Sequence, residues 1–231
     1  MPSVLVTGAN RGLGLGFCQH YAVAGWQVFA CCRQPENAQE LQTLVTQYPL
    51  VTIHKLDVSD FNQIQQLGNQ LADQSLDIVI HNAGVYYPDK QPQQTEFDYI
   101  SWEQTFKINT LAPVKLSENL LPSLMKSDRR LIVAITSLMG SIADNGSGGS
   151  LAYRSSKSAL NAAMKSLSID WQDRKISVLI LHPGWVKTDM GGEEAPTSIY
   201  ESISGMTRVI ESFTLAQSGQ FLNFKNQLLP W

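Results

Sequence analysis

Tyr153 and Lys157 are the residues of this chain best suited to moving a proton. They stand four apart in Tyr153-Arg154-Ser155-Ser156-Lys157, so on a helix they share one face about 6 Å apart along the axis. A free tyrosine titrates near about pH 10, and a neighbouring ammonium favours the phenolate and lowers that value. The expectation is that Lys157 tunes Tyr153, and that Tyr153 gives a proton to an oxygen or takes one from it. A lone Tyr-x-x-x-Lys is common on helix surfaces, but this one has company. Ser137 ends an apolar run, and its hydroxyl can steady negative charge developing on a carbonyl oxygen beside Tyr153. Asn109, in Lys107-Ile108-Asn109-Thr110, falls within a helical stretch, where Asn is a mediocre former. It can hold a water that links Lys157 to solvent, or be an ordinary polar helix position.

A proton donor for a carbonyl needs a second reactant, and the start of the chain suits one. Thr7-Gly8-Ala9-Asn10-Arg11-Gly12-Leu13-Gly14 follows an apolar run and opens a helical pattern. Glycines at 8, 12 and 14 remove side chains where backbone must approach a pyrophosphate at a helix N-terminus. Their spacing departs from the commoner Gly-x-Gly-x-x-Gly, and a tight turn without ligand is the alternative. The second apolar run ends Phe29-Ala30-Cys31-Cys32-Arg33, with no acid before Glu36. An acid there would hold the ribose 2′-hydroxyl of NAD. Arg33, with Arg11 in the turn, instead suits a 2′-phosphate, so NADP(H) is expected over NAD(H). Asp57-Val58 after the third run can meet an adenine, with Asp57 accepting from its amino group or serving only as a turn residue. In His81-Asn82-Ala83-Gly84, small residues let backbone lie against the cofactor, and Asn82 can tie strand ends together. Pro183-Gly184-Trp185-Val186-Lys187-Thr188 can offer backbone groups and the Thr188 hydroxyl to a nicotinamide amide, or be a plain Pro-Gly turn.

These motifs sit at the ends of recurring short apolar runs. Strands are expected at residues 3–7, 26–31, 51–55, 77–81, 131–136, 176–182 and 219–224. Helices are expected at 12–24, 36–47, 60–72, 99–126 and 150–173. The alternation predicts an α/β fold with a parallel sheet covered on both faces by right-handed crossovers. Residues 189–205 are poorly periodic, contain Gly191-Gly192 and Pro196, and are expected as a substrate lid. Leu138, Met139, Tyr86, Trp185 and Met190 flank the motifs; they can line an apolar pocket or belong to the core.

The chain has 231 residues, 43% of them hydrophobic, which supports a sizeable core and excludes a disordered chain. A net charge of −3 argues against nucleic acid or an anionic membrane as partner. Cys18, Cys31 and Cys32 are an odd set with two adjacent members, which is no disulfide framework. They read as reduced packing residues, in keeping with a cytoplasmic setting. The four histidines lack metal-ligand spacing, so no metal is expected. The first strand is expected to begin almost at once, so its apolar residues are expected to belong to the fold rather than to a leader.

Taken in order, these elements resemble the short-chain dehydrogenase/reductase family over essentially the whole chain. The match is nearest to its C-factor and Sniffer-like branch, which includes carbonyl reductases. That nearness is carried by the glycine turn, Cys32-Arg33, Tyr153 to Asn161, His182 to Gly192 and the Leu229-Pro230-Trp231 ending. The resemblance implies one Rossmann-type doubly wound domain over 1–231, with strand order 3-2-1-4-5-6-7. It implies a tetrad of Asn109, Ser137, Tyr153 and Lys157, with Tyr153 and Lys157 also meeting the cofactor. It further implies homodimers or homotetramers packed through the long helices near 99–126 and 150–173. Two features depart from the family pattern. His81 replaces a more usual Asn, and Ser137 and Tyr153 are sixteen positions apart, about three more than is common, which places an extra loop around Asp144 to Gly149. The expected chemistry is NADPH-dependent reduction of an aldehyde, ketone or quinone. A dinucleotide-binding signalling protein with vestigial activity is the alternative, and NAD-dependent alcohol oxidation a lesser one.

Overall fold

A computed structural model describes residues 1–90 and 95–231. Seven strands form one parallel sheet in the order β3-β2-β1-β4-β5-β6-β7. They are β1 Ser3–Thr7, β2 Gln27–Cys32, β3 Val51–Lys55, β4 Ile78–His81, β5 Leu131–Ile135, β6 Ser177–His182 and β7 Phe221–Asn223. Successive side chains of a strand point to opposite faces, and the core divides accordingly. Val4 and Val6 join one buried cluster with residues of α1 (Gly12–Val23), α2 (Gln39–Gln47) and α8 (Ile199–Ser212). Leu5 joins the other, with residues of α3 (Phe61–Leu71), α5 (Ala112–Asn119) and α7 (Leu151–Asp170). Cys18, Cys31 and Cys32 are free and buried in these clusters. Burial raises all three thiols above their ordinary range, which leaves them inert packing groups.

Three boundaries differ from expectation for local reasons. The single helix expected over 99–126 is three helices, α4 (Tyr99–Phe106), α5 and α6 (Leu121–Leu124), with a π-helical turn at Lys107–Leu111 between the first two. Pro113 and Pro122 each stand at the start of a new helix, where a missing N–H is tolerated. The helix expected from residue 36 begins at Gln39, behind a 3-10 turn at Pro35–Asn37. Residues 199–205, read as part of a structureless lid, are instead the first half of α8. Its N-terminus carries a capping box in which Ser198 and Glu201 satisfy each other's backbone N–H groups.

Parallel pairing aligns the strand ends. Thr7 pairs with Cys31, His81 with Ala134, Ile135 with Leu181 and His182 with Asn223. The glycine turn, Asn82, Ser137 and Pro183 therefore all emerge at the carboxyl edge, where open α/β sheets bind ligands. Among the described residues, no helix is long and apolar enough to cross a membrane.

Candidate active site

At the first crossover, Thr7 is the hub. Its hydroxyl accepts from the backbone N–H groups of Asn82 and Ala83, both at 3.0 Å. The Asn82 amide donates to the carbonyls of Thr7 at 2.9 Å and Gly8 at 3.3 Å, so Asn82 does join two strand ends. A Cβ on Gly14 would lie 2.1 Å from the Gly8 carbonyl oxygen, so only glycine lets α1 start this close to β1. Arg11, the residue before α1, provides no side-chain cap, and the first turn holds no acid. Such an end suits the pyrophosphate of a dinucleotide. Gly12 and Leu13 are half-buried beside it, and Asn10 is exposed.

The two arginines have different situations. Arg33 is exposed just past β2, while Arg11 donates to the Asp189 carboxylate at 2.5 Å. Asp57 accepts from the Ser59 N–H and hydroxyl through one carboxylate oxygen, a turn role that leaves its other oxygen for a ligand. Val58 is buried in the core, so only its backbone can meet a cofactor. Beyond β6, Val186 bridges to Thr197, and the Lys187 N–H donates to the Thr197 carbonyl at 2.9 Å. Pro183 accepts the Ser202 hydroxyl at 2.7 Å. Gly184 packs against Phe224, and the Thr188 hydroxyl accepts from Gly191 N–H at 3.1 Å. The segment after Pro183 is thus a stitched loop tied to the glycine turn through Asp189.

The four residues expected to handle protons come together from three places in the fold. Tyr153 and Lys157 are buried on α7, Ser137 follows β5, and Asn109 lies in the π-helical turn. Ser137 and Tyr153 are joined by a hydrogen bond between their hydroxyls. Lys157 Nζ donates to the Ile135 carbonyl at 2.9 Å and lies 5.8 Å from the Tyr153 ring centre. Asn109 accepts from the Val85 N–H, donates to the Val85 carbonyl and donates to Ser156 Oγ, at 2.9, 2.9 and 3.0 Å. A point above Gly84, where a Cβ would stand, is 3.3 Å from Asn109 Oδ1 and 3.7 Å from Lys157 Nζ. Glycine at this position lets the Asn109 amide and the Lys157 ammonium lie close to the backbone of residue 84.

The electrostatics reverse one expectation. Tyr153 is not drawn down by Lys157; burial pushes it up to about 12, assisted by Tyr86 and opposed by the Ser137 hydrogen bond. The cause is desolvation of a phenolate. Burial also brings Lys157 down to about 8.

Several supporting residues were not legible as site residues. His182 Nδ1 accepts the Leu138 N–H at 3.2 Å, bracing the turn that follows Ser137, and burial holds its imidazole neutral, at about 4. His81 is structural: it is buried, 2.8 Å from the Ser117 hydroxyl. Asp89 accepts from the Leu151 and Ala152 N–H groups at 2.8 and 3.1 Å, capping α7 from a distant segment. No local motif announces that cap. Tyr86, Trp185 and Met190 are 43, 57 and 51% exposed, while Leu138 and Met139 are half-buried. None of these five belongs to the buried core. The extra loop is held at the rim: Arg154 donates to Ser147 Oγ at 2.9 Å, and the Ala143 N–H to the Trp231 carbonyl at 2.8 Å.

The model of the short chain dehydrogenase family matches residues 2–198. This chain belongs to the short-chain dehydrogenase/reductase family. It is 40% identical over 156 residues to the C-signal of Myxococcus xanthus, covering 68% of this chain and 93% of that one. Its fold is similar to carbonyl reductase Sniffer of D. melanogaster, with a TM-score of 0.92, 36% identity and complete coverage of both chains. It is also similar to the NADPH-bound carbonyl reductase from chicken fatty liver, with a TM-score of 0.91, 37% identity and coverage of 100% of this chain and 99% of that one. The chain is thus an oxidoreductase by family, with carbonyl reductases among its structural relatives.

The remote cap on α7 is testable. Asp89→Ala is expected to cost about 1 kcal/mol of stability, as lost N-caps do, measured as a lowered urea midpoint at unchanged slope. An unchanged midpoint would show that Asp89 does not hold α7.

Proposed function

We propose that this chain is an NADPH-dependent carbonyl reductase acting on an aldehyde, ketone or quinone. The observation that carries this reading is the convergence of Ser137, Tyr153, Lys157 and Asn109 beside Gly84, at the sheet edge that also bears the glycine turn. NADPH held along the glycine turn would supply a hydride, and with it two electrons, to the carbonyl carbon, becoming NADP+. The Ser137 hydroxyl orients the carbonyl oxygen. As the carbon–oxygen double bond becomes single, the Tyr153 O–H bond breaks and its proton goes to that oxygen, giving the alcohol. Lys157 stabilises the phenolate left behind, and a water between Asn109 and Lys157 restores the proton. Burial serves this direction, because a tyrosine held near 12 stays protonated at neutral pH.

Tyr153→Phe is expected to lower kcat by at least about a hundredfold, the usual worth of a positioned acid, with cofactor binding retained. Full retention of activity would remove Tyr153 as the donor. Lys157 is charged below its value of about 8 and neutral above it. The kcat/KM for reduction should therefore be level near pH 6–7 and fall as pH rises past about 8. A profile flat to pH 10 would contradict that role.

The preference for NADP(H) rests on Arg33 being exposed at the end of β2 with no acid beside it. Arg11, engaged with Asp189, is the second cation of the proposed 2′-phosphate site. Gly8, Asn10, Gly12, Leu13 and Gly14 hold the pyrophosphate side. Asp57, Val58 and Asn82 to Gly84 line the adenosine and ribose side, and Pro183, Gly184, Val186 and Thr188 the nicotinamide side. Arg33→Ala is expected to weaken NADPH binding roughly tenfold or more while leaving NADH within about twofold, read by titrating nicotinamide fluorescence. Equal losses for both cofactors would rule out a 2′-phosphate contact.

We further infer one domain over 1–231, a cytoplasmic setting in keeping with three free thiols, and homodimers or homotetramers packed through the helices of 99–126 and 150–173. Tyr99, Ile100 and Leu111 are exposed there, and Tyr99, Trp102, Phe106 and Leu111 line an apolar groove of about 450 Å³. Sedimentation velocity should give a dimer or tetramer that Ile100→Asp dissociates; a monomeric parent chain would end this reading. The likeness to C-signal supports a second function, dinucleotide-dependent signalling with vestigial chemistry. Tight NADPH binding with negligible turnover across aldehydes, ketones and quinones would favour it.

A further inference from the structure

Tyr86 lies outside every motif, yet three independent contacts fix it beside the proton donor. Its backbone is anchored because Asn109 holds both the N–H and the carbonyl of Val85. Three residues further on, Asp89 clamps the same segment to the first turn of α7. Between these anchors, the Tyr86 hydroxyl lies 2.7 Å from Ser150 Oγ, just ahead of α7. Its ring meets the Tyr153 ring edge-on, with centroids 5.1 Å apart and planes at 63°.

That position is costly to explain as packing alone. The segment is already tied to α7 by Asp89, so its placement does not depend on the Tyr86 hydroxyl. Tyr86 instead leaves 43% of its surface open, beside a tyrosine that is itself buried. A carbonyl whose oxygen meets Tyr153 must place the groups on its carbon near that ring. We propose that Tyr86 is a specificity-determining wall of the carbonyl site, selecting carbonyls that bear a flat unsaturated substituent over saturated ones of equal size. The proposal rests on the carbonyl reductase reading above and names its substrate class.

The physical basis is the ring quadrupole. A planar substituent can join the edge-to-face arrangement that Tyr86 and Tyr153 already form, whereas a puckered ring is thicker and offers no matching charge distribution. The gain expected of one such aromatic contact corresponds to roughly threefold to tenfold in kcat/KM. The backbone anchors at Val85 and Asp89 place the ring, so Tyr86 acts through the face it presents and not through its hydroxyl.

The test compares benzaldehyde with cyclohexanecarbaldehyde, which share a carbon count and differ in flatness, using NADPH and purified full-length chain. Intrinsic reactivity cancels when the ratio of kcat/KM values is compared between variants. Tyr86→Leu, which removes the ring, is expected to lower the benzaldehyde preference by roughly threefold to tenfold. Tyr86→Phe, which keeps the ring, should hold the ratio within about twofold. Thermal midpoints of both variants separate misfolding from lost selectivity. Equal losses for the two aldehydes in Tyr86→Leu would make Tyr86 a structural tie and overturn the proposal. So would a Phe variant that shifts the ratio as far as Leu does. If the parent chain reduces other carbonyls but neither aldehyde, the aromatic wall fails and the reductase reading stands. If it reduces no carbonyl at all, the reductase reading fails, and this proposal with it.

Discussion

A parallel sheet buried on both faces leaves only its ends open to do chemistry. Every crossover in this chain must carry the backbone from a carboxyl end, over one face and back to an amino end. The carboxyl edge therefore collects the glycine turn, Asn82, Ser137 and Pro183, residues far apart in sequence. The Thr7 hydroxyl and the Asn82 amide fix the central strand ends against each other with four short bonds. Position at the site descends from that pairing, because α1 can begin beside β1 only where Gly14 gives way to the Gly8 carbonyl.

The second organising fact is a buried ammonium. A charge in a dry setting is costly unless it is hydrogen-bonded, and Lys157 meets the Ile135 carbonyl while its neighbours close around it. The same desolvation acts with opposite sign on Tyr153 and Lys157, holding the phenol protonated and easing the lysine toward neutrality. The pair is thus set less by mutual attraction than by a shared dry environment. Asn109 contributes through placement: its amide is spent on Val85 and Ser156, which fixes the segment that carries Gly84 and Tyr86.

Much of this was open to reading because the code is local. Strand runs and the glycine turn follow periodicity and conformational need, so all seven strands were expected within about two residues of where they lie. The three-way division of the 99–126 stretch was signalled by Pro113 and Pro122, and α8 by Ser198 and Glu201. Both signals were present and were outweighed by apparent helix length in one case and by Gly191-Gly192 and Pro196 in the other. Asp89, Asp189 and His182 could not be read this way. Their partners lie 62, 178 and 44 positions away, and no spacing rule reaches across a crossover.

The sequence by itself determined the parallel α/β architecture, the family and the identity of the groups that converge at the sheet edge. It did so because alternation, glycine placement and a helical Tyr-x-x-x-Lys are dictated within a few residues. Only the tertiary structure decided the direction in which Tyr153 is shifted, since desolvation depends on what surrounds the ring and not on its neighbours in the chain. The same holds for the occupation of Arg11 by Asp189, the remote cap on α7 and the seat of Tyr86 against Tyr153. Each is a contact between segments that meet only after the sheet has assembled.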